Sequence, residues 1–179
     1  MRAIALTLVL MAVALGGGLP ALAQNFDKGL HAARQGDFKA ALSEWTPLAE
    51  QGNALAQYYV GLMHQNAQGV PKGLTAAVSW YERAAKQGLA NAQYNLAVMY
   101  DNGFGVTQNY KTAITWYERA AAQGDADAKY NLGKMYAKGL GVDKDAKRAL
   151  AYWEAAAQQG HKQARKRADL LARTLKPEG

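Results

Sequence analysis

The chain has 179 residues, no cysteine, four prolines and a formal net charge of +7. The missing thiols exclude a disulfide scaffold, a thiolate zinc centre and a cysteine nucleophile, so packing alone must stabilise the fold. At this length one domain with a substantial core is within reach.

The first predicted element is a leader. Arg2 precedes an apolar run from Ala3 to Leu15, and Gly16, Gly17, Gly18 and Pro20 interrupt it. Ala21-Leu22-Ala23 then places small residues where a signal peptidase reads. Residues 1–23 are therefore expected to be a secretory signal peptide, cleaved before Gln24, and the mature chain to be periplasmic or secreted. An uncleaved anchor would need roughly 20 apolar residues to span a bilayer, and this run is shorter and ends in glycine. No cysteine follows the small residues, which rules out a lipid anchor on a thiol.

Residues 24–52 are predicted to form a helical hairpin linked at Gln35-Gly36-Asp37, serving as an N-terminal cap. A strict period then sets in. Gly52, Gly88, Gly124 and Gly160 recur every 36 residues, each after a glutamine, and Gly69, Gly105 and Gly141 share the period, each before a valine. The two series divide residues 53–88, 89–124 and 125–160 into three units of helix, glycine loop, helix and glycine turn. Between Ser79–Tyr100 and Thr115–Tyr136, 15 of 22 positions are identical. Function is then expected in the positions that differ, such as Asn91 against Asp127 and Val98 against Lys134.

Within the middle unit, Ala92, Leu96, Met99 and Tyr100 fall at helical spacing, and Tyr110, Ala113, Ile114, Tyr117 and Ala121 share one face of a second helix. Asn53 and Asp125 are candidate N-caps, and the glycines after Gln87 and Gln123 suit a left-handed C-terminal cap. Small residues recur at Ala84, Ala120 and Ala156, at Ala85, Ala121 and Ala157, and at Gly61, Ala97 and Gly133. They predict close helix approach, with Trp80, Trp116 and Trp153, and Tyr81, Tyr117 and Tyr152, as bulk opposite. Trp45 falls in register with Tyr81, Tyr117 and Trp153. Such short hairpins cannot bury both faces alone, so neighbours are expected to stack.

The last segment, 161–179, is predicted to be a capping helix with Ala164, Ala168, Leu171 and Leu175 on one side, ended by Pro177. It carries Lys162, Arg165, Lys166, Arg167, Arg173 and Lys176 against only Asp169 and Glu178. The charge surplus thus gathers at one end. Arg165, Lys166 and Arg167 form a candidate basic surface for an acidic partner or an anionic membrane, with a solvated cap face as the plainer reading.

The pattern A-x-x-x-L-G-x-x-Y, then G-x-G-V, then A-x-x-W-Y-x-x-A-A-x-x-G resembles the Sel1-like repeat, a relative of the tetratricopeptide repeat. Ala128 to Tyr136 carries the first helix of that pattern, and Gly139-Leu140-Gly141-Val142 the loop. The resemblance implies an all-α, right-handed superhelical solenoid of antiparallel helix pairs. It also implies adaptor or regulatory roles in a bacterial envelope. Three departures stand out. His64 replaces the tyrosine of Tyr100 and Tyr136, and Tyr152-Trp153 reverses the usual order. Ala67 replaces the glycine of Gly103 and Gly139, which predicts a less tightly specified first loop.

The catalytic inventory is thin. His31, His64 and His161 are isolated, Ser43 and Ser79 lie in no nucleophile motif, and no metal-ligand spacing occurs. His64 is expected to be packed. The Gly-x-Gly loops follow helices and lack the lysine of a phosphate loop. Asp125 reads as a cap, and Asp127 has no visible partner for acid–base work. No cofactor, metal or nucleic acid is expected, and the chain is expected to be a monomer.

In solenoids of paired helices the first helices line the concave face. Helical angles then place Leu55, Tyr58, Leu62, Gln65 and Asn66 in the groove from the first unit. The second unit adds Asn91, Tyr94, Val98, Asp101 and Asn102, and the third Asp127, Tyr130, Lys134, Ala137 and Lys138. Tyr58, Tyr94 and Tyr130 form a ladder that either contacts a ligand or packs between neighbouring helices. A protein or peptide partner in this groove is the expectation. The alternatives are a β-lactamase-like or cell-wall hydrolase enzyme and a saccharide-binding module for exopolysaccharide assembly.

Overall fold

The computed structural model describes residues 18–175; residues 1–17 of the expected leader and Pro177 lie outside them. The described residues form nine helices: α1 (Gly18–Arg34), α2 (Phe38–Glu50), α3 (Ala54–Asn66), α4 (Leu74–Lys86), α5 (Ala90–Asn102), α6 (Tyr110–Ala122), α7 (Ala126–Lys138), α8 (Ala146–Gln158) and α9 (Lys162–Leu175). Each helix packs on its neighbours in sequence, so the architecture is an all-α solenoid of paired helices. The pairs α3/α4, α5/α6 and α7/α8 carry the period, between the hairpin α1/α2 and the single helix α9. Helix α1 begins upstream of Gln24 and runs through the expected cleavage position.

The glycine turns explain the period. Gly52, Gly88, Gly124 and Gly160 have φ of 97°, 93°, 98° and 87°. That left-handed turn lets the next residue donate back into the helix just ended: Leu89 N–H to Ala84 O at 3.3 Å, and Asp125 N–H to Ala120 O at 3.1 Å. The following helices start on Asn53 and Asp125, whose side chains accept from Ala56 N–H and Ala128 N–H. Leu89 holds the same place without a side-chain cap.

The inner loops do a second job. At Gly69, Gly105 and Gly141 the loop lies against the start of the preceding unit's second helix, where a Cβ on Gly69 would stand 2.6 Å from Phe38 O. Stacking distance therefore depends on these glycines. The first loop is not loosened by Ala67, contrary to expectation. Ala67 adopts φ 57° beside 71° and 70° at Gly103 and Gly139. The same bond also closes all three loops at 2.9 Å: Gly73 N–H to His64 O, Asn109 N–H to Tyr100 O and Asp145 N–H to Tyr136 O.

The core is built from aromatic rings seated on small residues. Trp45, Tyr81, Tyr117 and Trp153 are buried at matching positions. A Cβ on Gly61 would stand 2.7 Å from Tyr81 Cε1, and Gly29 and Gly133 lie directly under Trp45 and Trp153. Ala97 takes this place in the core that holds Tyr117. Only one ring of each pair fills that role. Trp80, Trp116 and Tyr152 are half-buried, and each packs on the cores between successive pairs. Tyr100 and Trp116 each touch two neighbouring cores, which joins them into one stack. Leu96, Met99, Leu132 and Met135 are fully enclosed, each contributing about 1.5–3 kcal/mol through burial.

Candidate functional site

The expected groove row lies on α3, α5 and α7, and its members fall into two groups. Asn91, Asn102, Asp127 and Lys138 are exposed, whereas Tyr58, Leu62, Tyr94, Val98, Asp101, Tyr130 and Lys134 are half-buried. The half-buried group serves the stack as well as the surface. Tyr58 and Leu62 pack on the core of α4 and α5, and Tyr94 and Val98 on that of α6 and α7. The ring of Tyr94 lies 5.9 Å from that of Tyr117, and that of Tyr58 lies 6.0 Å from that of Tyr81.

Burial comes first in pushing the hydroxyl pKa of Tyr58 and of Tyr94 above the ordinary tyrosine value. Tyr59 adds to the first shift and Asp127 to the second, while the amides of Asn95 and Asn131 oppose them. Both rungs thus stay protonated in neutral solution and can donate and accept hydrogen bonds.

Asp101 is less free than its place in the row suggests. Its carboxylate accepts from the buried Tyr117 hydroxyl at 3.3 Å, as Gln65 Oε1 accepts from Tyr81 at 2.7 Å. In the third unit Ala137 stands at that position, and the ring there is Trp153, whose Nε1–H donates to Tyr130 O at 3.1 Å. Ring and acceptor change together. Lys134 Nζ donates to Asn131 Oδ1 at 3.2 Å.

Asp127, with no partner visible in sequence, meets His161 at the start of α9. His161 Nδ1 accepts from Ala164 N–H at 3.1 Å, so its proton sits on Nε2, which donates to Asp127 Oδ1 at 3.1 Å. The same imidazole stacks on Tyr130 with centroids 4.6 Å apart and planes at 19°. Both nitrogens are engaged, which leaves the imidazole no free lone pair for general-base work. His31 is exposed and His64 half-buried against Gly73. Among the described residues no group of three or more histidine and carboxylate side chains is placed to hold a metal ion. No helix among them is long and apolar enough to cross a membrane.

A network that the sequence reading missed ties the pairs together. Gln57 Nε2 donates to Ala49 O at 2.9 Å and its Oε1 accepts from Gln87 at 2.8 Å. Gln93 repeats this with Ala85 O at 3.1 Å and Gln123 at 2.8 Å. These buried amides give a second donor to helix-end carbonyls that already accept from Gly52 N–H and Gly88 N–H. The signal was present, since all four glutamines keep the 36-residue period.

The candidate basic surface divides. Arg165 continues the glutamine series, with Nη2 donating to Ala157 O at 3.4 Å. Lys166 and Arg167 instead line a cleft of about 370 Å³ between α7 and α9, with Tyr130, Gln163 and Leu170. A larger open depression, about 1080 Å³, lies at the third loop, lined by Lys111, Tyr136, Asp143, Arg148 and Leu175 among others. Its charges are internally paired in part, since Arg148 Nε lies 3.4 Å from Asp145 and its Nη1 donates to Tyr136 Oη at 3.3 Å.

The fold and the spacing of its cores define a class, the α-solenoid of two-helix repeats. A Sel1 repeat family model matches residues 54–89, 90–125 and 126–161, and the chain belongs to the Sel1 repeat family. A Sel1 repeat protein from Oxalobacter formigenes is similar, with a TM-score of 0.75 and 32% identity over 82% of this chain and 58% of that one. A protective antigen present in uropathogenic Escherichia coli strains superposes with a TM-score of 0.76 and 33% identity, over 83% of this chain and 34% of that one. This chain thus spans less than two thirds of either relative. No curated protein matches it. Folds of this kind serve as scaffolds for protein–protein contacts.

Proposed function

We propose that the protein is an exported, non-enzymatic scaffold that holds a protein or peptide partner along the first-helix row, as an adaptor or regulator in the bacterial envelope. The observation that carries this reading is the contrast between ladder and flanks. Tyr58, Tyr94 and Tyr130 repeat as a half-buried rail, while exposed neighbours change from unit to unit, Asn91 to Asp127 and Asn102 to Lys138. A rigid aromatic rail with variable polar flanks suits recognition of another chain, because tyrosine offers contact area at low entropic cost. Engagement of both His161 nitrogens weighs against hydrolysis at the one place among the described residues where a histidine meets a carboxylate. Export rests on the apolar run before Ala21-Leu22-Ala23.

The test is capture from an envelope fraction with the wild-type chain and with a Tyr94→Ala, Lys134→Glu variant, followed by titration of the captured partner against both purified chains. Wild-type binding that the double substitution weakens supports the row as the binding face. Equal affinity for both chains refutes it.

A further inference from the structure

Helix α9 carries the first-helix register one step beyond the third unit. Its Ala164 and Ala168 are buried as Ala128 and Leu132 are in α7. Lys166 therefore follows Tyr58, Tyr94 and Tyr130 along the rail, and Leu170 follows Leu62, Val98 and Lys134. The row changes character over this distance. Both of its acids are engaged within the chain, Asp101 by the Tyr117 hydroxyl and Asp127 by His161. Its cations make no ion pair among the described residues: Lys138, Lys166 and Arg173 have none, nor has Arg167 beside them, and Lys134 meets only the neutral amide of Asn131. Beside them Leu170 is 63% exposed, the most exposed of the large apolar side chains described. The cleft between α7 and α9 brings Tyr130 and Leu170 together with Lys166, Arg167 and Gln163.

We propose that this cleft takes an acidic peptide segment carrying a large apolar side chain, a proposal that rests on the first-helix row being the binding face. The apolar side chain lies against Tyr130 and Leu170, and the adjacent carboxylates face Lys166 and the planar fork of Arg167. Charge complementarity favours acids here because the cleft wall carries Lys166 and Arg167 and no carboxylate, and both cations are open to solvent. A recess with an apolar wall between two helices matches a side chain with neighbouring carboxylates better than a flat lipid surface.

The test is selection of a short random-peptide display library on the purified chain. Selected peptides are then synthesised in native form and with Asp and Glu replaced by their amides. The expected result is enrichment of Asp or Glu beside Leu or Phe, and binding about tenfold weaker for the amide forms. Lys166→Glu with Arg167→Glu should weaken the native peptides by a similar factor, with an unchanged circular dichroism melt. Peptides bound equally well in amide form would overturn the acidic specificity while leaving the row as a binding face. Acidic peptides lost in the Tyr94→Ala, Lys134→Glu chain but indifferent to Lys166 and Arg167 would overturn the cleft assignment alone. Failure to select any peptide defeats the cleft proposal alone, and the row is then judged by the captured partner's affinity for the Tyr94→Ala, Lys134→Glu chain. Phosphatidylglycerol vesicles bound by the wild type but not by the Lys166→Glu, Arg167→Glu chain would then identify a membrane contact instead.

Discussion

At Ala67 a side chain sits where the other two units carry glycine, yet the backbone has the same left-handed φ of 57°. The loop's closing bond and its packing on α2 hold it there against the clash between Cβ and the following carbonyl. Ala67→Gly should therefore raise stability by about 1 kcal/mol in urea denaturation, the strain relieved exceeding the added freedom of the unfolded chain. A fall in the midpoint would show that the residue is unstrained.

Tyr117 is the second residue with a measurable consequence. Burial, then Asp101, drives its hydroxyl far above the ordinary value of 10.0, and burial does the same at Tyr81. In the unfolded chain these groups ionise near pH 10, whereas in the folded chain they do not, so the unfolded state binds fewer protons at high pH. Stability is then fully present below about pH 10 and falls as pH rises above it. Tyr117→Phe should lose about 1 kcal/mol at neutral pH with its hydrogen bond to Asp101. It should also flatten the decline in melting temperature between pH 9 and 11.5. An unchanged slope would contradict the burial of that hydroxyl.

At the scale of helices, the pairing of a ring with a small residue sets how close α7 and α8 approach. Gly133→Ala improves intrinsic helix propensity by about 1 kcal/mol, but its Cβ meets the Trp153 indole. Overpacking should win, with a net loss of about 1–3 kcal/mol by chemical denaturation. Adding Trp153→Tyr, which copies the Ala97–Tyr117 combination of the middle unit, should recover part of that loss. A neutral Gly133→Ala would mean that the helices can slide apart freely. The paired change of Ala137 with Trp153, and of Asp101 with Tyr117, shows the same logic in hydrogen bonding: the acceptor exists where the ring has a hydroxyl.

For the whole molecule, α9 is the last helix of the described residues. Asp169 stands where Gly61, Ala97 and Gly133 stand in the repeats, so a carboxylate occupies the seat of a further ring. Ending the chain at Gly160 would strip Ala164, Ala168 and Leu171 from the core that contains Trp153 and Ala156. The expected outcome is a lower melting temperature and association on size exclusion, since the bared face is apolar. Unchanged melting would place α9 outside the cooperative unit.

Much of this was legible in the amino-acid order, because the constraints repeat. Glycine at fixed intervals, Asn53 and Asp125 before helices, and the alternation of rings with small residues each report local backbone geometry or the contact of adjacent helices. Both survive translation along a solenoid. Side-chain contacts between helices were not legible, even where they keep the repeat, as those of Gln57 and Gln93 do. Asp127 finds His161 across a unit boundary, Asp101 turns inward to Tyr117, and Arg165 leaves the basic cluster to cap α8. Ala67 kept a conformation that its residue type disfavours. By itself, then, the sequence determined the period, the helix ends and the class of core, since each depends on neighbours within one turn or one repeat. Only the tertiary structure decided which charges on the row are hydrogen-bonded within the chain and which stay open at the α7–α9 cleft. Pairing of side chains depends on distances in space that no spacing along the chain encodes.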